Sequence, residues 1–342
     1  MRYNSGMFRI LALLQLTRAA LAFTAIADAW AVLLLRPPSA SPPEMMMLIY
    51  RMLITGVASF CLYAFGMALN DLVDARRDRI FAPRRPIPSG RIRPRSALIV
   101  SLALLMVALT AAVVLLPLQF TQRDVLRLSD LVPYSFILTL ATAALIVFYD
   151  ATAKYLGGMG LVTLGAIRAL HCLIGHPKTP LLFLSMILLT HVIVISTIAY
   201  RLEGKRPRLK AVNYVTIVLG LLIGNGGAMW YMWLRGNALV SENMPMLIGP
   251  AVAAVVYAVW AVGILLVPTI NPRQKGERIM LLGLFWLFVY DASILLSNGQ
   301  ILASVAITLL LFCAIVSFFS IRFFSRMLSQ PRLDYRPERP GA

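Results

Sequence analysis

Long apolar runs alternate with short charged connections along the whole chain. The run "LIVSLALLMVALTAAVVLLPL" carries no charge over about 20 residues, the length a helix needs to cross a bilayer core. Ten such segments fall near residues 10–35, 46–69, 95–118, 131–149, 157–175, 179–200, 211–234, 246–268, 279–297 and 300–321. The pattern predicts an all-α, polytopic transmembrane helical bundle of nine to ten spans, with ten favoured. Only "SNGQ" separates the last two segments, which leaves a single kinked or re-entrant element open there. Residues 1–330 read as one membrane-embedded domain. Residues 331–342 read as a basic, proline-rich tail drawn to anionic headgroups.

Composition agrees with this pattern. Hydrophobic residues make up 60% of the chain and charged residues 13%, against about 45–50% and about 25% in soluble domains. The net charge of +18 would suggest nucleic acid in a soluble protein. Here most of the 32 Lys and Arg residues fall in connections that ten spans place on the side of both termini. That bias predicts an integral protein of the cytoplasmic membrane, with the termini and the 70–95 connection facing the cytoplasm and no nucleic-acid partner.

The stretch "ALNDLVDARRDRIFAPRRPIPSGRI", residues 68–92, is unlike an ordinary loop. If the second span continues as a helix, Asn70, Asp74 and Asp78 share one face at i, i+4 and i+8, with Asp71 beside them. Pro83, Pro86 and Pro88 then end the helix. Carboxylates gathered on one face repel unless a cation sits among them. Hard oxygen ligands of this kind suit Mg2+, which bridges to substrate phosphates. Neighbouring arginines such as Arg77 and Arg85 can clamp phosphate oxygens. A metal and arginines at the mouth of a membrane helix predict a phosphorylated substrate with a lipid tail. The plainer reading is a topogenic loop whose aspartates pair with its arginines.

"NDLVDARRD" followed by "RPIPSGRI" resembles the first aspartate-rich motif of the UbiA superfamily of intramembrane prenyltransferases. "FYDATAKYLGGMGLVTLGAIRALHCLIG", residues 148–175, resembles that family's Tyr/Lys turn and fifth span, and "LTRAALAFTAIADAWAVLLL", residues 16–35, resembles its first span. The resemblance covers most of residues 10–205. It implies a helical bundle around a central cavity and transfer of a prenyl group from a prenyl diphosphate, with Mg2+, to a lipid-soluble or aromatic acceptor. On this basis Asn70, Asp71, Asp74 and Asp78 are expected to hold Mg2+. Lys154, Arg77, Arg85 and Arg168 are expected to hold the diphosphate, with Asp74, Asp78 and Lys154 carrying the chemistry. The family's second aspartate-rich motif has no aspartate here. Its counterpart "STIAYRLEGKRPRLK" holds Glu203 as its one acid, similar to the EboC-like branch. A lipid-binding or transport relative without turnover therefore stays open. A CDP-alcohol phosphotransferase ranks below both, because only Asp74-Ala75-Arg76 matches that pattern.

Other polar residues have local alternatives. Asp150 stands at i, i+4 from Lys154, so an ion pair competes with phosphate binding there. Glu203 and Asp150 are candidates for the base that takes the acceptor's proton. Arg18, Asp28, Arg168 and Asp291 are charges inside spans, which are costly and face a cavity or a partner. Arg18 either lines the cavity or snorkels to the surface. His171 and His191 read as core residues and His176 as a loop residue. Cys61, Cys172 and Cys313 read as small core residues without metal spacing.

Overall fold

The structure, a computed structural model, describes residues 5–35, 42–117, 133–177, 179, 182–204, 207–235 and 244–328. The expected tail at 331–342 lies outside the described residues. Each of the ten apolar segments carries a helix, and no strand occurs among the described residues. In chain order the helices are α1 (Ser5–Leu16), α2 (Ala19–Leu34), α3 (Pro42–Val73), α4 (Ala75–Phe81), α5 (Pro94–Val114), α6 (Tyr134–Ala151), α7 (Gly158–His171), α8 (Phe183–Glu203), α9 (Ala211–Leu234), α10 (Met244–Leu266), α11 (Pro272–Ser297) and α12 (Ile301–Leu328).

Eight helices are long and apolar enough to cross a membrane, and α1 with α2 forms a ninth candidate bent by 45°. The tenth expected segment falls short. Helix α7 has 14 residues, or about 21 Å at 1.5 Å per residue, against a hydrocarbon core of about 30 Å. Residues 279–321 are not one kinked element. Helices α11 and α12 pack on each other as a hairpin, joined through Gly299 at φ +76 and tied to the end of α2 by Asn298 Nδ2 donating to the Leu35 carbonyl at 2.7 Å.

The helices form an inner and an outer set. Helices α2, α3, α4, α6, α7, α8 and α11 line a central cavity. Helices α5, α9, α10 and α12 pack around them: α5 on α3, α10 on α11, α9 on α7, and α12 on α2 and α11. Burial follows this order. Over their most apolar stretch, α3 and α8 are 56% buried, α9 and α12 only 11%. The outward faces of the outer helices are apolar side chains such as Leu222, Ile223, Val259 and Leu302, as a lipid-facing surface requires. Cys61 and Cys172 are buried as expected, whereas Cys313 is exposed on α12.

Two backbone features aim residues at the cavity. The first span breaks at Thr17 and Arg18, where Arg18 takes φ +46, a left-handed conformation rare for a non-glycine residue. The Thr17 hydroxyl donates to the Leu13 carbonyl at 2.9 Å and closes α1 there. Helix α11 starts earlier than the hydrophobic pattern indicates. Asn271 Oδ1 accepts the Gln274 N–H at 2.8 Å and Pro272 opens the first turn, a strong start signal. The polar stretch from Arg273 to Glu277 is therefore helix, not loop.

Candidate active site

The acidic motif folds nearly as its spacing predicts. Helix α3 ends at Val73, Asp74 makes a kink, and α4 continues the same course. The i to i−4 hydrogen bonds run on through the kink, from Asp74 N to Asn70 O at 2.9 Å and from Asp78 N to Asp74 O at 2.8 Å. After Phe81 the prolines turn the chain back over the motif. This return brings Arg85 Nη1 to 2.6 Å from Asp78 Oδ2 and 3.2 Å from Asp71 Oδ1.

Asn70, Asp74 and Asp78 line an outer cavity of about 460 Å³ with Arg18, Arg77 and Arg85. The Arg77 guanidinium lies 5.5 Å over the Phe81 ring. Asp71 is not on this wall. It faces the neighbouring recess with Arg84, and its Oδ1 meets Arg18 at 3.5 Å and Arg85 at 3.2 Å. Asp71 thus holds two arginines in place. Arg18, which sequence left between cavity and surface, stands at the cavity mouth.

Lys154 sits in a 3-10 turn, Ala153–Tyr155, between α6 and α7, with a side chain closed to solvent. Its Nζ lies 2.8 Å from Asp74 Oδ1 and 3.3 Å from Asp150 Oδ1. The expected local pair with Asp150 at i−4 is present, and a second pair, with Asp74, joins the turn to the acidic motif. Burial alone would lower the Lys154 pKa, but the Asp74 hydrogen bond and the charges of Asp150 and Asp74 outweigh it. The pKa ends above its ordinary 10.5, so the group stays an ammonium at neutral pH.

Glycines hold this turn. Gly157 has φ +58, and the Gly158 N–H donates to Asn213 Oδ1 at 3.2 Å. A methyl group on Gly160 would fall 2.7 Å from the Ala153 carbonyl and 3.0 Å from the Lys154 Cα. Gly160→Ala is therefore expected to push α7 off the Lys154 turn and to destabilise the protein by about 1–3 kcal/mol. The unfolding midpoint of the purified variant checks this, and an unchanged midpoint contradicts it.

The opposite wall comes from α8 and α11. It carries Ser196, Tyr200 and Glu203 from α8, and Arg273, Glu277 and Met280 from α11. Arg273 Nε and Glu277 Oε1 pair at 3.2 Å. Sequence reading missed Arg273 and Glu277 because residues 269–278 look like a basic loop. Their i, i+4 spacing behind an Asn-Pro cap was the available signal.

Behind the mouth lies an inner cavity of about 250 Å³ that shares Arg18, Asn70, Tyr149, Leu164, Ser196 and Met280 with the outer one. Arg168 and His171 line this inner space and not the outer one. Arg168 Nε pairs with Asp28 Oδ2, so the structure does not bring Arg168 to the acidic motif. His191 is a satisfied core residue, with its ring nitrogens 3.1 Å from the Gly283 carbonyl and 3.2 Å from the Tyr290 hydroxyl. His176 lies in the turn after α7.

No three Asp, Glu, His or Cys side chains among the described residues converge closely enough to hold a metal by themselves. Asp74 and Asp78 on one cavity wall, with the Asn70 amide beside them, nonetheless fit Mg2+. That ion characteristically takes one or two carboxylates and completes its shell with phosphate oxygens and water.

The UbiA prenyltransferase family model matches residues 20–286. The chain belongs to that family. Among curated relatives, digeranylgeranylglyceryl phosphate synthase of Methanothrix thermoacetophila is 59% identical over 39 residues, 11% of this chain and 15% of the relative. The enzyme of the same name from Methanococcoides burtonii is 40% identical over 80 residues, 23% of this chain and 28% of the relative. The chain thus spans less than a third of the length of these relatives. A solved structure described as giving structural and mechanistic insights into the biosynthesis of digeranylgeranylglyceryl phosphate synthase in membranes matches with a TM-score of 0.56. Its identity is 17%, over 85% of this chain and 98% of the other. This UbiA family member shares that fold, and its bundle of apolar helices makes it an integral membrane protein.

Proposed function

We propose that the protein is a prenyltransferase that moves a prenyl group from a prenyl diphosphate to a hydrophobic acceptor with Mg2+. The observation that carries this reading is the outer cavity. Two carboxylates, an amide and several cations converge at the mouth of an apolar space within a membrane bundle. The relatives' name, digeranylgeranylglyceryl phosphate synthase, supports an isoprenoid lipid as the substrate class.

The chain's own residues act mainly on the leaving group. Lys154 is held in place by Asp74 and Asp150, and Arg85 by Asp71 and Asp78. Diphosphate binding therefore needs little rearrangement of these cations, and preorganised charge is the efficient kind. Arg77 and Arg18, on the same wall, add donors for phosphate oxygens. Asn70, Asp74 and Asp78 would hold Mg2+, which would offset the negative charge that builds on the diphosphate as it leaves the prenyl carbon. The apolar outer wall, including Phe81, Leu161 and Ala199, receives the chain of the donor. Glu203 lines the mouth and is the base candidate on that wall, whereas Asp150 is paired with Lys154 behind the motif.

The basic segments support a cytoplasmic mouth in the cytoplasmic membrane. Arg77, Arg85 and Arg273 come from two different stretches of the chain and meet at one cavity, and Lys and Arg gather on the cytoplasmic side. The test is incubation of the purified full chain with radiolabelled prenyl diphosphates of several lengths. Diphosphate release is expected with Mg2+, with a loss of about 100-fold or more in excess chelator and recovery on adding Mg2+ back. Tight binding of the donor with no release in the presence of acceptor lipids would replace this reading with that of a lipid-binding protein.

A further inference from the structure

The inner cavity ends in groups that a hydrocarbon tail cannot satisfy. Arg168 and His171 stand at i, i+3 on one face of α7 and line this space. Arg168 is 8% exposed and His171 4%. Arg168 Nη2 has no hydrogen-bond partner among the described residues, and of the His171 ring nitrogens one turns to the Ser59 backbone while the other meets no partner. The Ser196 hydroxyl, at the junction of the two cavities, is unpartnered too. Orphaned buried donors and acceptors are costly and are normally met by a ligand or water. A purely apolar occupant would leave every one of them unmet.

Charge narrows what can bind. The Arg168 guanidinium is already opposed by Asp28 on α2, and the Asp291 carboxyl on α11 lies against that of Asp28. Two acids behind one guanidinium leave no surplus positive charge to attract an anion. Of the other charged groups on its lining, Arg18 is opposed by Asp71 and Asp150 by Lys154, and Leu62, Ile146, Ile167 and Leu287 supply apolar wall.

We infer that the inner cavity is a subsite for an uncharged, oxygen-bearing acceptor, whose hydroxyl or carbonyl hydrogen-bonds Arg168 and His171 while its carbon skeleton fills the apolar walls. The role as acceptor rests on the prenyl-transfer reading of the outer cavity; the binding chemistry does not. The two cavities adjoin at Tyr149 and Ser196, so such a molecule lies next to the diphosphate-binding wall and away from its charges.

Three fluorescent probes of similar size test this on the full chain in detergent, with binding corrected for partition into protein-free micelles. They are 2-naphthol, which is neutral and carries a hydroxyl, 2-methylnaphthalene, which has no polar atom, and 2-naphthoate, which is an anion. The wild-type chain is expected to bind 2-naphthol about tenfold or more tightly than either of the others. His171→Phe keeps a ring and removes both nitrogens, and it is expected to erase most of the preference over 2-methylnaphthalene. Equal affinities for 2-naphthol and 2-methylnaphthalene, tighter binding of 2-naphthoate, or an unchanged preference in a folded His171→Phe overturns the inference. The wild-type comparison decides the matter even if that variant does not fold. Binding of geranyl diphosphate with Mg2+ is scored separately. Its absence alongside a 2-naphthol preference removes the prenyl-transfer reading and leaves the subsite standing. Its presence without the preference does the reverse.

Discussion

Asp74→Asn is expected to cut Mg2+-dependent diphosphate release by about 100- to 1000-fold, the scale of losing one preorganised charge partner in an active site. Two effects combine there. The substitution removes one of the motif's two carboxylates on the outer cavity wall, and it turns the carboxylate 2.8 Å from Lys154 Nζ into a neutral amide. Lys154 then keeps Asp150 at 3.3 Å and is drawn toward α6, away from the donor. Asparagine preserves the volume at Asp74, so the fold should tolerate it. Asp71→Asn is the matched control. Asp71 faces the recess beyond the cavity and pairs with two cations, Arg18 and Arg85, at 3.5 and 3.2 Å. Its loss should loosen those arginines and cost about tenfold in release, in line with a positioning contact rather than a ligand. Single-turnover assays of both variants on prenyl diphosphate measure the difference. Equal losses at the two positions would mean that the acidic motif works as one undivided cluster. Full activity in Asp74→Asn would remove the proposed mechanism.

What could be read from sequence was what is local. The N-D-x-x-D-x-x-x-D spacing placed Asn70, Asp74 and Asp78 on one face because helix periodicity needs no tertiary knowledge. The proline run after Phe81 marked where that helix stops. The hydrophobic runs located each long apolar helix, but they misjudged several ends. Asn271 capping lengthens α11 by a polar turn that hydropathy cannot register. Helix α7 stops at His171, within the apolar segment predicted for it. Long-range partners were not legible. Arg18 and Asp71 lie far apart in sequence and meet only because the first span breaks at a left-handed residue. Arg168, Asp28 and Asp291 each stood out as costly charges within spans. That they share one site depends on how α2, α7 and α11 pack, and no sequence period encodes this.

Arg168→Leu is expected to be the most destabilising of these substitutions, by about 3–5 kcal/mol, because it strands carboxylates in the core. Asp28 and Asp291 are both 0% exposed, and Arg168 is the cation that contacts Asp28. A buried ion pair adds little to stability over an apolar replacement, but breaking one costs much. That asymmetry predicts rescue. Adding Asp28→Asn to Arg168→Leu removes one charge and gives Asp291 an amide donor, so the double variant should recover at least about half of the loss. Buried thiols provide the measurement. Cys61 and Cys172 are buried and Cys313 is exposed, so with Cys313→Ser in the background a thiol-reactive dye reports only unfolding. Heating in detergent then gives midpoints for the wild type, both single variants and the double. Strong non-additivity is the expected result, because the three groups act as one unit across α2, α7 and α11. Additive losses would mean that Arg168 and Asp28 contribute independently. The polar end of the inner cavity would then have to be explained without a shared ion pair.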